Sequence, residues 1–338
     1  MKELRVAMLG FGGIAKSHKR AYEQFEEEGT PIRLVAVCDI DPTRFTKVEQ
    51  FNLGSDKPYR MDGIAQYTDL DKMLAEQDFD MVDICLPTYL HKEYTLRMLA
   101  AGKHVMCEKP MSLCEADCRE MLDAAKKAGK LLTIGMCLRF EPQYLFLKEI
   151  VNSGRFGALR YMSLSRLSPL PKWSFENWFQ KTEKSGGCAL DLHIHDVDMV
   201  RFLFGDPRSV SAVAQDDVTR WQYISSRFFY DKFCVEAVGS WMEAPRCRFV
   251  AAYRACFEKA TVILENNVIT VYPVDGNPYN PEIGKENRMA EEIRLLARCI
   301  DEGSEINTVN TPESAAATVA LVKKLCESAD LGGKILEL

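Results

Sequence analysis

Lys109 stands between Glu108 and Pro110 in CEKPMS (107–112), where the apolar run HVMC (104–107) ends. A surface lysine normally reaches for water. An ammonium at the mouth of a buried strand can instead bind and polarise an oxygen. Farther along, Asp191 and His195 lie four residues apart in LDLHIHDVDMVRFLFG (190–205), a helical run, and so share one face. An imidazole there can take the proton of a hydroxyl, and the carboxylate or Lys109 can orient the substrate and tune the transfer. A capping aspartate beside a surface histidine is the bland alternative. His193 sits between the two, about 160° from Asp191 around a regular helix.

His193, His195, Asp196 and Asp198 also have the look of metal ligands. The chain has five histidines, at 18, 91, 104, 193 and 195, and none follows 195. A zinc site would have to be built on carboxylates, so no metal is expected.

A second constellation opens the chain. LGFGGIAKSH (9–18) holds Gly10-x-Gly12-x-x-Ala15, with Gly13 and Ile14 inside the turn. Gly10 permits a tight turn, Gly12 lets backbone approach a pyrophosphate, and Ala15 lets helix pack on strand. The helix N-terminus supplies amide donors for the phosphates. Asp39 ends the next apolar run, where a carboxylate can hold a ribose 2′-hydroxyl and repel a 2′-phosphate. NAD is therefore expected rather than NADP.

These residues need elements to place them. Apolar runs at 4–9, 32–39, 65–70, 79–87, 103–110 and 130–136 alternate with helical runs at 13–29, from Pro42, at 88–102 and at 112–129. That rhythm predicts an α/β doubly wound parallel sheet over 1–135. Lys109 then lies at a strand's carboxyl end, facing the cofactor crevice. After residue 136 the rhythm changes. A helix is expected over 140–154, a strand over 159–167, a loop over 168–187 and a helix over 190–205. Consecutive strands at 209–215, 222–230, 234–242, 246–254, 260–265 and 268–273 predict an α+β domain over 136–338 with a large, mostly antiparallel open sheet. Asn266–Asn267 signals a tight hairpin. Helices at 286–303 and 312–330 end the chain and can pack back on the first domain.

The segments GFGGIA (10–15), CDIDP (38–42), LPTYLH (86–91), GKHVMCEKPMS (102–112), RFEP (139–142) and SGGCALDLHIHDVDMVRFLFG (185–205) together resemble the Gfo/Idh/MocA family. The resemblance covers nearly the whole chain and implies a Rossmann cofactor domain. It implies that Lys109 contacts substrate oxygen and nicotinamide, that Glu108 helps hold the ribose, and that Pro87 and His91 lie along the cofactor. It strengthens Asp191 and His195 as catalytic partners. The family often has a small residue where this chain has His193, which here either narrows the substrate pocket or adds a hydrogen-bonding group. Arg139, after the sixth strand, is placed to bridge cofactor and substrate or to form a structural ion pair. Trp173 and Trp178, in WSFENWF (173–179), suit either the apolar face of a sugar ring or core packing.

The expected activity is NAD-dependent oxidation of a secondary alcohol of a sugar, sugar acid or cyclic polyol, or the reverse. The alternatives are a glycosidase that oxidises its sugar transiently before elimination, and a non-catalytic NAD or sugar sensor. A net charge of −6 argues against nucleic acid. No apolar run approaches the ~20 residues of a membrane helix. Twelve cysteines without a C-x-x-C read as reduced, buried hydrophobes, and the protein is expected to be cytoplasmic. The uncovered face of the second sheet predicts a homodimer or homotetramer. A sharp turn at Lys109 predicts a cis Lys109–Pro110 bond.

Overall fold

The computed structural model describes residues 2–46, 60–306 and 309–338. The chain divides into two compact units. The first comprises Met1–Ser112, Ala116–Phe140 and Glu286–Ala315; the second comprises Leu113–Glu115, Glu141–Lys285 and Ala316–Leu338.

The first unit is built on six parallel strands: β1 (Leu4–Leu9), β2 (Ile32–Cys38), β3 (Ala65–Tyr67), β4 (Met81–Ile84), β5 (His104–Glu108) and β6 (Leu132–Gly135). Their order is β3-β2-β1-β4-β5-β6. Both β4 and β6 are buried along their whole length, which is why the sequence shows apolar runs there instead of alternation. The connecting helices are α1 (Gly13–Glu28), α2 (Leu70–Glu76), α3 (His91–Ala100) and α4 (Glu115–Ala128). The seven-residue α2 was hidden in the sequence because it is too short to show a period. It is capped by Asp69, whose carboxylate accepts from the Lys72 amide at 3.0 Å. The helix expected from Pro42 starts as a 3-10 turn, Pro42–Phe45. Its continuation falls on 47–59, outside the described residues.

The second unit holds eight strands: β7 (Leu159–Leu167), β8 (Ser209–Gln215), β9 (Tyr223–Phe229), β10 (Cys234–Ser240), β11 (Val250–Phe257), β12 (Ala260–Glu265), β13 (Val268–Pro273) and β14 (Leu336–Glu337). Their order is β13-β12-β11-β7-β10-β9-β8-β14. One pair, β7 with β10, is parallel. The chain leaves β7 through a helical crossover before β8, which makes a parallel return possible. Asn266 and Asn267 have φ of 51° and 62°, as a two-residue hairpin between β12 and β13 requires. The helices are α5 (Pro142–Ser153), α6 (Thr182–Ser185) and α7 (Ile194–Phe204). The helix expected over 190–205 does not start as an α-helix. Its first turn, Ala189–His193, is a π-turn that runs into α7.

Two helices close the chain, α8 (Arg288–Glu302) and α9 (Pro312–Asp330). Within the first unit α8 packs on α1: Arg294 pairs with Glu28 at 2.7 Å and lies over the Phe25 ring.

Candidate functional site

In the first unit, the candidate residues gather at the carboxyl ends of β1, β2, β4 and β5. Gly10 follows β1 with φ of 82°, and its amide donates to Cys38 O at 2.8 Å. A Cβ there would lie 2.7 Å from Cys85 O, so conformation and space both demand glycine. Gly12 caps α1 without a capping side chain, and nothing lies within 4 Å of where its Cβ would stand. Gly13 and Ile14 open the first helical turn, and Ala15 is buried against the sheet. An uncapped helix N-terminus beneath open space is the cradle that a pyrophosphate fits.

Asp39 braces this turn. One carboxylate oxygen accepts from the Phe11 amide at 2.7 Å and the other from the Asp41 amide at 2.8 Å. A cleft of about 460 Å³, lined in part by Pro42, Phe45 and Tyr67, lies by the same strand end, where Tyr67 O accepts from the Asp39 amide.

Pro87 is partly exposed after β4. His91 is buried, with Nδ1 2.7 Å from Pro110 O and Nε2 2.8 Å from Leu86 O. Burial lowers its pKa, against the pull of the two carbonyls. His91 thus ties the loop after β4 to the Glu-Lys-Pro turn. The Lys109–Pro110 bond is cis, as expected, and Lys109 is partly exposed.

Glu108 is buried: Oε1 lies 2.9 Å from His18 Nε2, and Oε2 accepts from the Lys109 amide at 3.0 Å. Arg139 is also buried, donating to Val309 O and to Ser314 Oγ, both at 2.8 Å. It ties the 309–314 segment to the end of β6.

His18, Asp83, Tyr22 and Glu292 had been passed over. His18 Nδ1 lies 2.9 Å from Asp83 Oδ2, which also accepts from Tyr22 Oη at 2.9 Å. Burial opposes charge on His18, but Asp83 and Cys85 together outweigh it and raise the pKa well above 6.5. Nearby Glu292 is pushed up by burial and then by Glu108. The signal was available in MVDI (81–84): an aspartate in a wholly buried strand must have a partner. Among the described residues, the group close enough to hold a metal is His18, Asp83 and Cys85. Both nitrogens of His18 already face carboxylates, and burial lifts the Cys85 thiol to about 12, so the group reads as a hydrogen-bond network.

In the second unit, the π-turn carries Asp191 and α7 carries His195. Asp191 is 9% exposed and His195 is partly exposed. π-turns recur at functional sites because the extra residue re-aims the side chains around it. His193 faces the sheet. It is fully buried, with Nε2 2.9 Å from Ser226 Oγ and Nδ1 without a hydrogen-bond partner. Burial, then Arg166, lowers its pKa to about 3. Gly239 makes room for it, since a Cβ there would stand 2.8 Å from His193 Cβ. The expected substrate contact of His193 therefore fails: the ring is sealed beneath the π-turn.

The other members of the metal-like set also have separate partners. Asp196 pairs with Arg166 at 2.8 Å, and Asp198 accepts from Thr318 at 2.9 Å. Trp178 stacks on Phe179 at 4.0 Å, beside buried Cys188, Leu192 and Trp241, while Trp173 remains 51% exposed. Trp173 also packs edge-on against Phe179, at 5.1 Å between ring centroids.

Comparison with known proteins bears on this arrangement. Residues 4–136 match the oxidoreductase family with an NAD-binding Rossmann fold, and 144–245 match the GFO/IDH/MocA C-terminal domain. The chain belongs to the Gfo/Idh/MocA family. It is 30% identical to myo-inositol 2-dehydrogenase of Thermotoga maritima over 60% of its length, and 33% identical to D-glucoside 3-dehydrogenase of Escherichia coli over 62%. Those matches span 55% and 57% of the relatives' own lengths. In fold it is similar to aldose-aldose oxidoreductase of Caulobacter crescentus, with a TM-score of 0.82 at 23% identity and full coverage of both chains. It is also similar to levoglucosan dehydrogenase, with a TM-score of 0.83 at 17% identity, covering 100% of this chain and 99% of that one.

Proposed function

We propose that this Gfo/Idh/MocA protein is an NAD-dependent dehydrogenase that interconverts a secondary alcohol and a ketone on a sugar, sugar acid or cyclic polyol. The observation that carries the reading is the open, uncapped N-terminus of α1 at Gly12, with Lys109 at the carboxyl end of β5 in the same unit. The names of the inositol and glucoside dehydrogenases among its relatives support the substrate class.

In this reading the amides at Gly12 to Ala15 hold the pyrophosphate, and Asp39 favours NAD over NADP. When bound, NAD supplies the hydride acceptor. Lys109 holds the reacting oxygen. His195 takes the hydroxyl proton as the carbon gives up its hydride, and Asp191 orients substrate and base. Twelve free thiols suit a reducing, cytoplasmic setting, and no described helix is long and apolar enough to cross a membrane.

The test is NADH formation at 340 nm (~pH 9), screened over inositols, hexoses and hexonic acids, a pH chosen to pull off the alcohol proton. Reduction of NAD by one of these supports the reading. Hydrolysis of glycosides without net NADH would replace it with redox-assisted cleavage. NAD binding without either reaction would replace it with a sensor.

A further inference from the structure

We propose that His18 is a positioning residue for Lys109: clamped between Asp83 and Glu108, it fixes the Glu108 carboxylate, which in turn holds the Lys109 backbone. The inference deepens the reading above, since the importance of Lys109 rests on it. The contacts themselves lie wholly within the first unit.

The path is short and closed. His18 stands on the buried face of α1, the helix whose first turn forms the pyrophosphate cradle. Its Nδ1 meets Asp83 Oδ2 on β4, and its Nε2 meets Glu108 Oε1 on β5, each at 2.9 Å. Ionised carboxylates only accept, so a ring flanked by two of them donates from both nitrogens. The other oxygen of Glu108 accepts from the Lys109 amide at 3.0 Å. Gly135 on β6 keeps the carboxylate's place open: a Cβ there would stand 3.1 Å from Glu108 Oε1. Tyr22, from the next turn of α1, donates to Asp83 and fixes the far end.

The surroundings leave Glu108 few other partners. Around it stand the acidic groups of Asp83, Cys85 and Glu292, the last buried with one oxygen unpartnered, and a further cation in this neighbourhood, Arg288, acts on Glu292. Without His18, Oε1 would be a buried anionic oxygen among other acids. It would take up a proton or swing away, and either change loosens the acceptor that holds the Lys109 amide. A single imidazole thereby links the cofactor-cradle helix to the proposed substrate anchor.

The experiment compares His18→Asn and His18→Gln. Asparagine places its amide nitrogen near the former Nδ1 and keeps only the Asp83 contact; glutamine places it near Nε2 and keeps only the Glu108 contact. The main readout is labelling of Lys109 by an amine-reactive reagent, followed by mass spectrometry. His18→Asn is expected to raise that rate about tenfold and His18→Gln less than about threefold, because small displacements of a positioned group have large effects on its chemistry. Where a substrate has been found, kcat should fall in the same order. In the wild-type protein, ¹⁵N-histidine NMR should show two protonated ring nitrogens on His18 at neutral and alkaline pH.

Equal labelling in all three proteins overturns the inference, as does a wild-type ring with a single N–H. If His18→Asn does not fold, Glu108→Gln takes its place, with faster labelling expected and unchanged labelling counting against the proposal. Failure to find any substrate sinks the dehydrogenase reading, while labelling and NMR still decide the role of His18.

Discussion

Each unit buries a histidine completely, and the two are opposites. His18 faces two carboxylates and holds its charge; His193 faces a serine hydroxyl and a guanidinium-bearing neighbour and stays neutral. Each is given room by a glycine, Gly135 through Glu108 in the first case and Gly239 directly in the second. Burial alone would discharge both rings. The difference shows that partner chemistry, set by strands distant in sequence, decides what a buried imidazole is.

The sharpest way to break the contrast is in the second unit. His195→Ala should lower kcat by ~10²–10⁴-fold with NAD affinity nearly unchanged, the size expected for a lost general base. His193→Ala should leave turnover within about tenfold but cost ~2–4 kcal/mol of stability through the cavity it leaves. Steady-state kinetics and chemical denaturation on both variants check this. A reversal would mean that the histidine roles are exchanged.

The pH dependence of unfolding sharpens it next. His193 has a lowered pKa, so its contribution is present above 6.5 and is lost as pH falls toward about 3. His18 has a raised pKa, so its contribution is full below 6.5 and is lost as pH rises through the raised value. Replacing His193 with Gln should flatten the acid limb of stability against pH, and replacing His18 with Gln should flatten the alkaline limb. For His193 the effect should be a few kcal/mol, a unit of pKa shift being ~1.4 kcal/mol, and for His18 the direction is the test. Denaturant titrations across pH measure it, and limbs that respond the other way round would break the comparison.

The glycines give a smaller, steric version. Gly239→Ala drives a methyl against His193 Cβ and should cost ~1–3 kcal/mol. Gly135→Ala meets a carboxylate that can give by a few tenths of an ångström, so ~1 kcal/mol is expected, with thermal unfolding as the readout.

The smallest effect tests the cofactor end. Asp39→Ala should weaken NAD and narrow its preference over NADP by a few-fold, about 1 kcal/mol for one lost hydrogen bond. A titration in which the wild type prefers NADP would reject the assignment.

The open face of the second sheet carries Tyr161, Val213, Val250, Val268 and Tyr272, all more than a third exposed. A dimer or tetramer by light scattering is the outcome proposed for it, and a monomer would count against it.

Much of this was legible in the sequence. The alternation of apolar runs and helices announced the six parallel strands, and Asn266–Asn267 announced its hairpin, because both depend on residues close along the chain. What escaped depends on distance or on small geometric choices. Nothing local marks β7 and β10 as parallel neighbours, since their pairing is set by a crossover between them. Nothing near Asp83 or Glu108 in the sequence displays the partner they share, because His18, which meets both, lies 65 and 90 residues away. Among the partners of Arg139 and His91 are three main-chain carbonyls and the Ser314 hydroxyl, which no residue pattern displays. His193 was misjudged because a π-turn and a helix have the same sequence signature.

That π-turn has a genetic meaning. Compared with a regular helix, the stretch Ala189–His193 carries one residue too many, accommodated as a bulge. Loss of codon 192 or 193 would restore an unbroken helix, leave Asp191 and His195 three residues apart and rotate one relative to the other by roughly one helical step, about 100°. The angle between the two proposed catalytic side chains is thus open to change by an in-frame deletion as well as by substitution, with the scaffold on either side left intact.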